Sequence, residues 1–211
     1  MLQATSKART TADWSTAYPL ILAATVLTTA IPASAAAPTV QTGSADQEIH
    51  LDGTLDEPAW QQAGVIADLT QQDPHPGEPT PFTTEVRVLV DATTIYIGFV
   101  CHDPDPSRIA IHTMQRDGNM RGDDTVTVIL DPISDGRRGY YFEINAAAAR
   151  LDGLISGAEN MSTDWDGIWD AVTRRTSDGW TAEIRIPAQT LRFKWARITG
   201  DSTSSVTFLA P

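Results

Sequence analysis

An all-β antiparallel sandwich, jelly-roll or immunoglobulin-like, is the fold this sequence predicts, and three observations predict it. Short runs alternate apolar and polar residues, turn residues punctuate the chain about every ten positions, and helical periodicity is scarce. Ile49 and Leu51 share one face of a short predicted strand. Asp52-Gly53 ends it, because glycine tolerates positive φ and aspartate can bond its own downstream backbone. Leu55 then returns to the core, and Glu57-Pro58 opens a helical turn, since proline has a fixed φ and needs no donor at a first helical position. That turn is expected to carry Trp60 into the core.

Thr84 to Val90 sets Val86, Val88 and Val90 against Glu85 and Arg87, a strand with one wet face. Asp91 to Thr94 is its hairpin loop, leading into Thr94 to Cys101, which is apolar on both faces and therefore central. Thr125 to Leu130 and Tyr140 to Asn145 form a second pair across the loop Asp131 to Gly139. Trp180, Ala182, Ile184 and Ile186 alternate with Thr181, Glu183 and Arg185 until Pro187 stops the strand. No internal repeat is present.

Residues 1–35 have the form of a signal peptide: Lys7 and Arg9, an uncharged stretch from Leu20 to Ile31, and Ala33-Ser-Ala35 at the cleavage position. Export follows, to the periplasm, the outer membrane or the medium; an uncleaved amphipathic anchor is the alternative. The stretch falls short of the roughly 20 apolar residues that span a bilayer. Removing the leader leaves about 175 residues, enough for one domain with a substantial core. Residues 36–48 are expected as a flexible N-terminus, 49–195 as the sandwich, and 196–211 as a truncated or diverged tail that leaves a sheet edge poorly covered.

Cys101 is the only cysteine, so no intrachain disulfide forms, and its apolar setting marks it as a small buried hydrophobe. The formal charge of -12 opposes binding to nucleic acid or anionic lipid, where cationic side chains supply the attraction. Neutral sugars and divalent cations fit better.

Asp52-Gly-Thr-Leu-Asp-Glu-Pro-Ala-Trp60 resembles the opening of carbohydrate-binding module family 9 domains and their relatives. Tyr96 to Asp103, Gly122 to Asp131, Gly139 to Asn145 and Gly179 to Pro187 follow in the family's order, so the resemblance runs from Ile49 to Phe193. With Thr163 to Trp169 and Leu191-Arg-Phe193 it is most similar to the version at the front of some bacterial outer-membrane-barrel proteins. The resemblance implies a sugar-binding sandwich, often joined to glycoside hydrolases and often carrying structural calcium. Relatives commonly place a tryptophan just before the acidic pair that here is Asp123-Asp124, and an arginine on the strand of Glu143. This chain has Arg121-Gly122 and Glu143 there, so the family's sugar contacts are not carried over.

Pyranose rings need a flat apolar surface beside planar hydrogen-bonding groups. Two sets of residues answer to that. Trp165 and Trp169 stand among Asp164, Asp166 and Asp170, either as a sugar platform or as structural rings capping the core. Tyr141, Glu143 and Asn145 share one strand face, either as a stack-and-clamp arrangement or as an ordinary solvated face. Calcium takes six to eight oxygen ligands. Asp123, Asp124 and Asp131 are the expected ligands from a group that includes Asp117 and Asp135, with solvated turn aspartates as the alternative.

Glycoside hydrolysis needs two carboxyl groups facing across a cleft, and nothing in the sequence singles out such a pair. His50, His75, His102 and His112 are scattered, and no zinc motif or Ser-His-Asp order is present. The leading reading is an exported, non-catalytic domain that holds poly- or oligosaccharide near a glycoside hydrolase. The second is the front domain of a truncated barrel protein, without sugar binding. The third is a haem-binding sandwich using His112, Met114 or Met161 as axial ligands.

Overall fold

The structure is a computed structural model that describes residues 42–67, 69–71, 74–133, 135–157 and 160–191, and the backbone of 205–209. Its strands are β1 (Gly43–Ser44), β2 (Gly64–Ile66), β3 (Thr84–Val90), β4 (Thr94–His102), β5 (Thr125–Asp131), β6 (Arg138–Asn145), β7 (Arg150–Ser156), β8 (Met161–Ser162), β9 (Asp170–Thr176), β10 (Gly179–Pro187) and β11 (Ser205–Leu209). One sheet runs β1-β3-β4-β10-β9, with β2 also on β3; the other runs β11-β5-β6-β7-β8. Every pairing is antiparallel except the short parallel contact of β1 with β3. Among the described residues there is no α-helix, only 3-10 turns.

The main core lies between the sheets. Val86, Val88, Ile97, Phe99, Ala182, Ile184 and Ile186 of the first sheet face Val126, Val128, Leu130, Phe142 and Ile144 of the second. Period-two alternation places these on the inner faces, and their burial supplies most of the driving force for the fold. Cys101 is buried in this core, and burial pushes its thiol up to about 12.

A second apolar layer covers the outer face of the six-stranded sheet. Ile49, Ala59, Trp60 and Ala63 pack there on Leu89 of β3 and Tyr96 of β4. Residues 49–63 thus form a clasp on that face, which explains why β4 is apolar on both sides. Trp60 is 1% exposed but belongs to this outer layer, not to the core between the sheets. Gly98 of β4 makes the docking possible, because a Cβ there would stand 2.2 Å from Leu55 Cδ2 and 3.2 Å from Trp60 Cζ3.

Several boundaries differ from the sequence expectation. Ile49 to Leu51 is not a strand; Ile49 is buried in the layer over the sheet and Leu51 packs against it. Gly43–Ser44, expected within a flexible N-terminus, pairs with Leu89 and Val90. Ser205–Leu209, expected within a loose tail, forms β11 along Thr127 to Asp131 and covers that edge of β5. The leader at 1–35 and residues 36–41 and 192–204 lie outside the described residues.

Candidate functional site

The outer face of the five-stranded sheet carries two adjacent cross-strand rows: Ile129, Tyr141 and Gly153 in one, and Thr127, Glu143 and Leu151 in the next. Tyr141 and Glu143 are half-buried, Leu151 lies beside Glu143, and Thr127 is buried at 4% exposure. The Tyr141 hydroxyl donates to Glu143 Oε2 at 3.0 Å. Burial and the neighbouring Glu143 charge push the Tyr141 phenol up to about 12, so it stays a neutral donor through the physiological range. The second Glu143 oxygen takes no hydrogen bond from the described residues. An aromatic ring, an oriented carboxylate and flanking aliphatic surface therefore occupy one face.

Asn145, expected on this face, does not belong to it. It is fully buried, and all four of its hydrogen-bonding positions are used. Nδ2 donates to Thr113 O and Asp123 Oδ2, both at 2.8 Å, while Oδ1 accepts from the amides of Ala147 at 3.0 Å and Ala149 at 2.9 Å. It ties the turn after β6 to the 113–123 connection.

The expected tryptophan platform is instead a plug. Trp169 is 3% exposed, meets Phe142 edge-on at 5.2 Å, and has the Arg150 guanidinium 5.5 Å above its ring. Trp165 is half-buried against Tyr140, at 5.2 Å, and Phe142, at 6.0 Å. Asp164, Asp166 and Asp170 made this segment appear solvated, yet two of them bind cations. Asp166 accepts from Arg116 at 3.0 Å, and Asp170 pairs with Arg185 at 2.5 Å and Arg150 at 3.5 Å. The segment therefore lies over the rim of the sandwich with its rings inward.

The expected calcium ligands do not form a cation cage. Asp123 accepts from the His112 amide and from His112 Nδ1, at 2.7 and 2.6 Å, besides Asn145. Burial pushes its carboxyl up, but the Asn145 and His112 hydrogen bonds outweigh that and leave it below the usual range. Asp124 Oδ2 accepts from the Ala110 amide at 2.6 Å. Asp131 accepts from the amides of Ile133, at 3.0 Å, and Gly136, at 2.8 Å. Protein donors occupy at least one oxygen of each, and the three do not converge on one point among the described residues. They act as loop anchors.

A different trio converges. One carboxylate oxygen from each of Asp117, Asp152 and Asp166 lies within 4.8 Å of the others. Arg116 occupies that position, donating to Asp152 at 2.7 Å and Asp166 at 3.0 Å, with Asp117 at 3.5 Å. The guanidinium offsets part of their charge and bridges the three acids. Asp117 and Asp166 stood in separate acidic sets in the sequence, and Asp152, on β7 opposite the core residue Phe142, was missed. His112 and Met114, considered for haem, lie in the connection between β4 and β5 and on no strand.

Glu183 alternates with the core residues of β10, on the opposite side of the strand from Ala182 and Ile184. It is fully buried, and its carboxyl is pushed up to about 6 by burial and by the charges of Glu57 and Asp52, against hydrogen bonds from the Gly53 and Asp52 amides. A raised carboxyl can mark a general acid. Here the clasp lies over it.

A family model for carbohydrate family 9 binding domain-like sequences matches residues 51–202. The chain belongs to that family. No curated protein matches this family 9-like chain. Among solved structures it is similar to a Bacteroides uniformis protein described as carbohydrate-binding, with a TM-score of 0.51 and 15% identity over 64% of this chain and 65% of that one. It also resembles a family 9 carbohydrate-binding module from Caldicellulosiruptor kristjanssonii. The glucose complex has a TM-score of 0.47 and 17% identity over 67% of this chain and 65% of that one. The cellotriose complex has a TM-score of 0.47 and 18% identity over 69% and 66%. The chain thus spans slightly under two thirds of each neighbour's length. At 15% identity the likeness to the Bacteroides uniformis protein concerns the fold.

Proposed function

We propose that this chain is a non-catalytic saccharide-binding domain, exported from the cell and acting beside a polysaccharide-degrading enzyme. The observation that carries the reading is the Tyr141–Glu143 pair on the outer face of the five-stranded sheet. A half-buried ring offers an apolar surface to the CH face of a sugar, and the oriented carboxylate accepts from its hydroxyls. Family membership and the acidic charge favour a neutral glycan over a polyanion. The leader-like segment at 1–35 supports export.

Calorimetry against neutral oligosaccharides, including cello- and xylo-oligomers, tests the proposal. Glu143→Gln and Tyr141→Phe should each weaken binding by about tenfold, the scale of one lost charge-assisted hydrogen bond, with unchanged melting. No heat from the wild type across the panel would overturn it.

A further inference from the structure

The clasp over the six-stranded sheet is held by Glu183, the one fully buried carboxylate on that face among the described residues. Glu183 Oε2 accepts the amides of Asp52 at 2.9 Å and Gly53 at 2.7 Å. Thr181 Oγ1 donates to Gly53 O at 2.6 Å, and Arg174 Nη2 donates to Asp52 O at 3.2 Å. The Asp-Gly turn is therefore bound through both its donors and its acceptors. Glu183 Oε1, however, is buried without a partner, as is Glu57 Oε2 in the clasp itself. An ionised carboxylate with an unpaired buried oxygen is costly, and a second acid beside it adds repulsion.

We propose that Glu183 is a proton-operated latch: protonated, it holds residues 49–63 firmly on the sheet, and ionised, it loosens them. Protonation at Oε1 keeps both amide bonds to Oε2 and removes the charge that Glu57 and Asp52 oppose. The groups facing Glu183 are few. The clasp contributes Asp52 and Glu57, the latter also accepting the His50 amide. Across β4 the residue opposite is Gly98, with Arg87 of β3 beyond it, turned to Trp60 O at 3.0 Å and Glu85 at 3.3 Å. Val172 is opposite on β9, with Arg174 on the turn carbonyl. Arg185, next outward on β10, is paired with Asp170. No cation is bonded to Glu183 among the described residues.

The sign follows from the raised carboxyl. The closed clasp binds the proton more tightly than the open one, so closure is favoured most below pH 4.5 and that advantage is lost as pH rises through about 6. The latch is independent of sugar binding at the opposite sheet.

Hydrogen exchange of the full chain, read by mass spectrometry on peptides covering 49–63 and corrected for intrinsic rates, tests it. The opening equilibrium should rise about thirtyfold between pH 4 and 8, while peptides of β5 and β6 stay flat. Glu183→Gln should abolish the pH dependence, and Glu57→Gln should move its midpoint to lower pH. If Glu183→Gln does not fold, a carboxyl carbon NMR titration of Glu183 in the wild type and in Glu57→Gln takes its place. A pH-independent clasp, an unaltered profile in Glu57→Gln, or a Glu183 midpoint near 4.5 overturns the proposal.

Discussion

Gly98 is where a single atom decides whether the clasp fits. Its Cβ in Gly98→Ala would overlap Leu55 and press on Trp60, so the variant should lose about 1–3 kcal/mol, seen as a lower denaturation midpoint with normal secondary structure. Asn145→Ala deletes four hydrogen bonds at a fully buried point and leaves Asp123 and two amides short of partners. Equilibrium unfolding should show a loss of at least about 3 kcal/mol. Cys101, with its thiol raised to about 12, should resist alkylation in the native protein and react only once unfolded. At this scale the sequence was a fair guide to apolar residues and a poor one to polar ones. Cys101 and Phe142 could be placed inside from their strand phase. Asn145 and Glu183 have the phase of outward residues, and only the 113–123 connection and the clasp, packed from far along the chain, bury them.

Among elements, the plug at 163–170 departs most from its composition. Trp165 packs on Tyr140 and Phe142, so Trp165→Ala should lower stability by about 2–4 kcal/mol in a thermal or denaturant melt. On the proposed reading, glycan affinity should survive that change. Arg116→Met would leave the buried Asp152 with only the Gly167 amide, at 2.5 Å, and should cost about 2–3 kcal/mol. Strands with uninterrupted alternation, β3 and β10 above all, could be read directly from sequence. β7 could not, because Arg150 and Asp152 occupy core-facing positions and break the pattern. Their partners, Trp169 O and Arg116, sit on distant segments. β11 was missed because its serine and threonine resemble a linker until β5 supplies a partner.

For the molecule as a whole, the clasp, the sandwich and the plug are three layers of support around one half-open polar face. On the proposed reading, an uncharged glycan at Tyr141 and Glu143 would displace no ions, so its affinity should hold within about twofold between 0.05 and 0.5 M salt. A steep fall with salt would instead indicate an anionic ligand. One flank bears on the company this protein keeps. Strand β9 pairs with β10 and with no further strand among the described residues, and it sets Asp170, Arg174 and Arg175 along that border. Any chain seeking to extend the sheet there must strip water from fixed charges of both signs. Fibre-like growth is thereby discouraged, and neighbours are left to meet this molecule broadside.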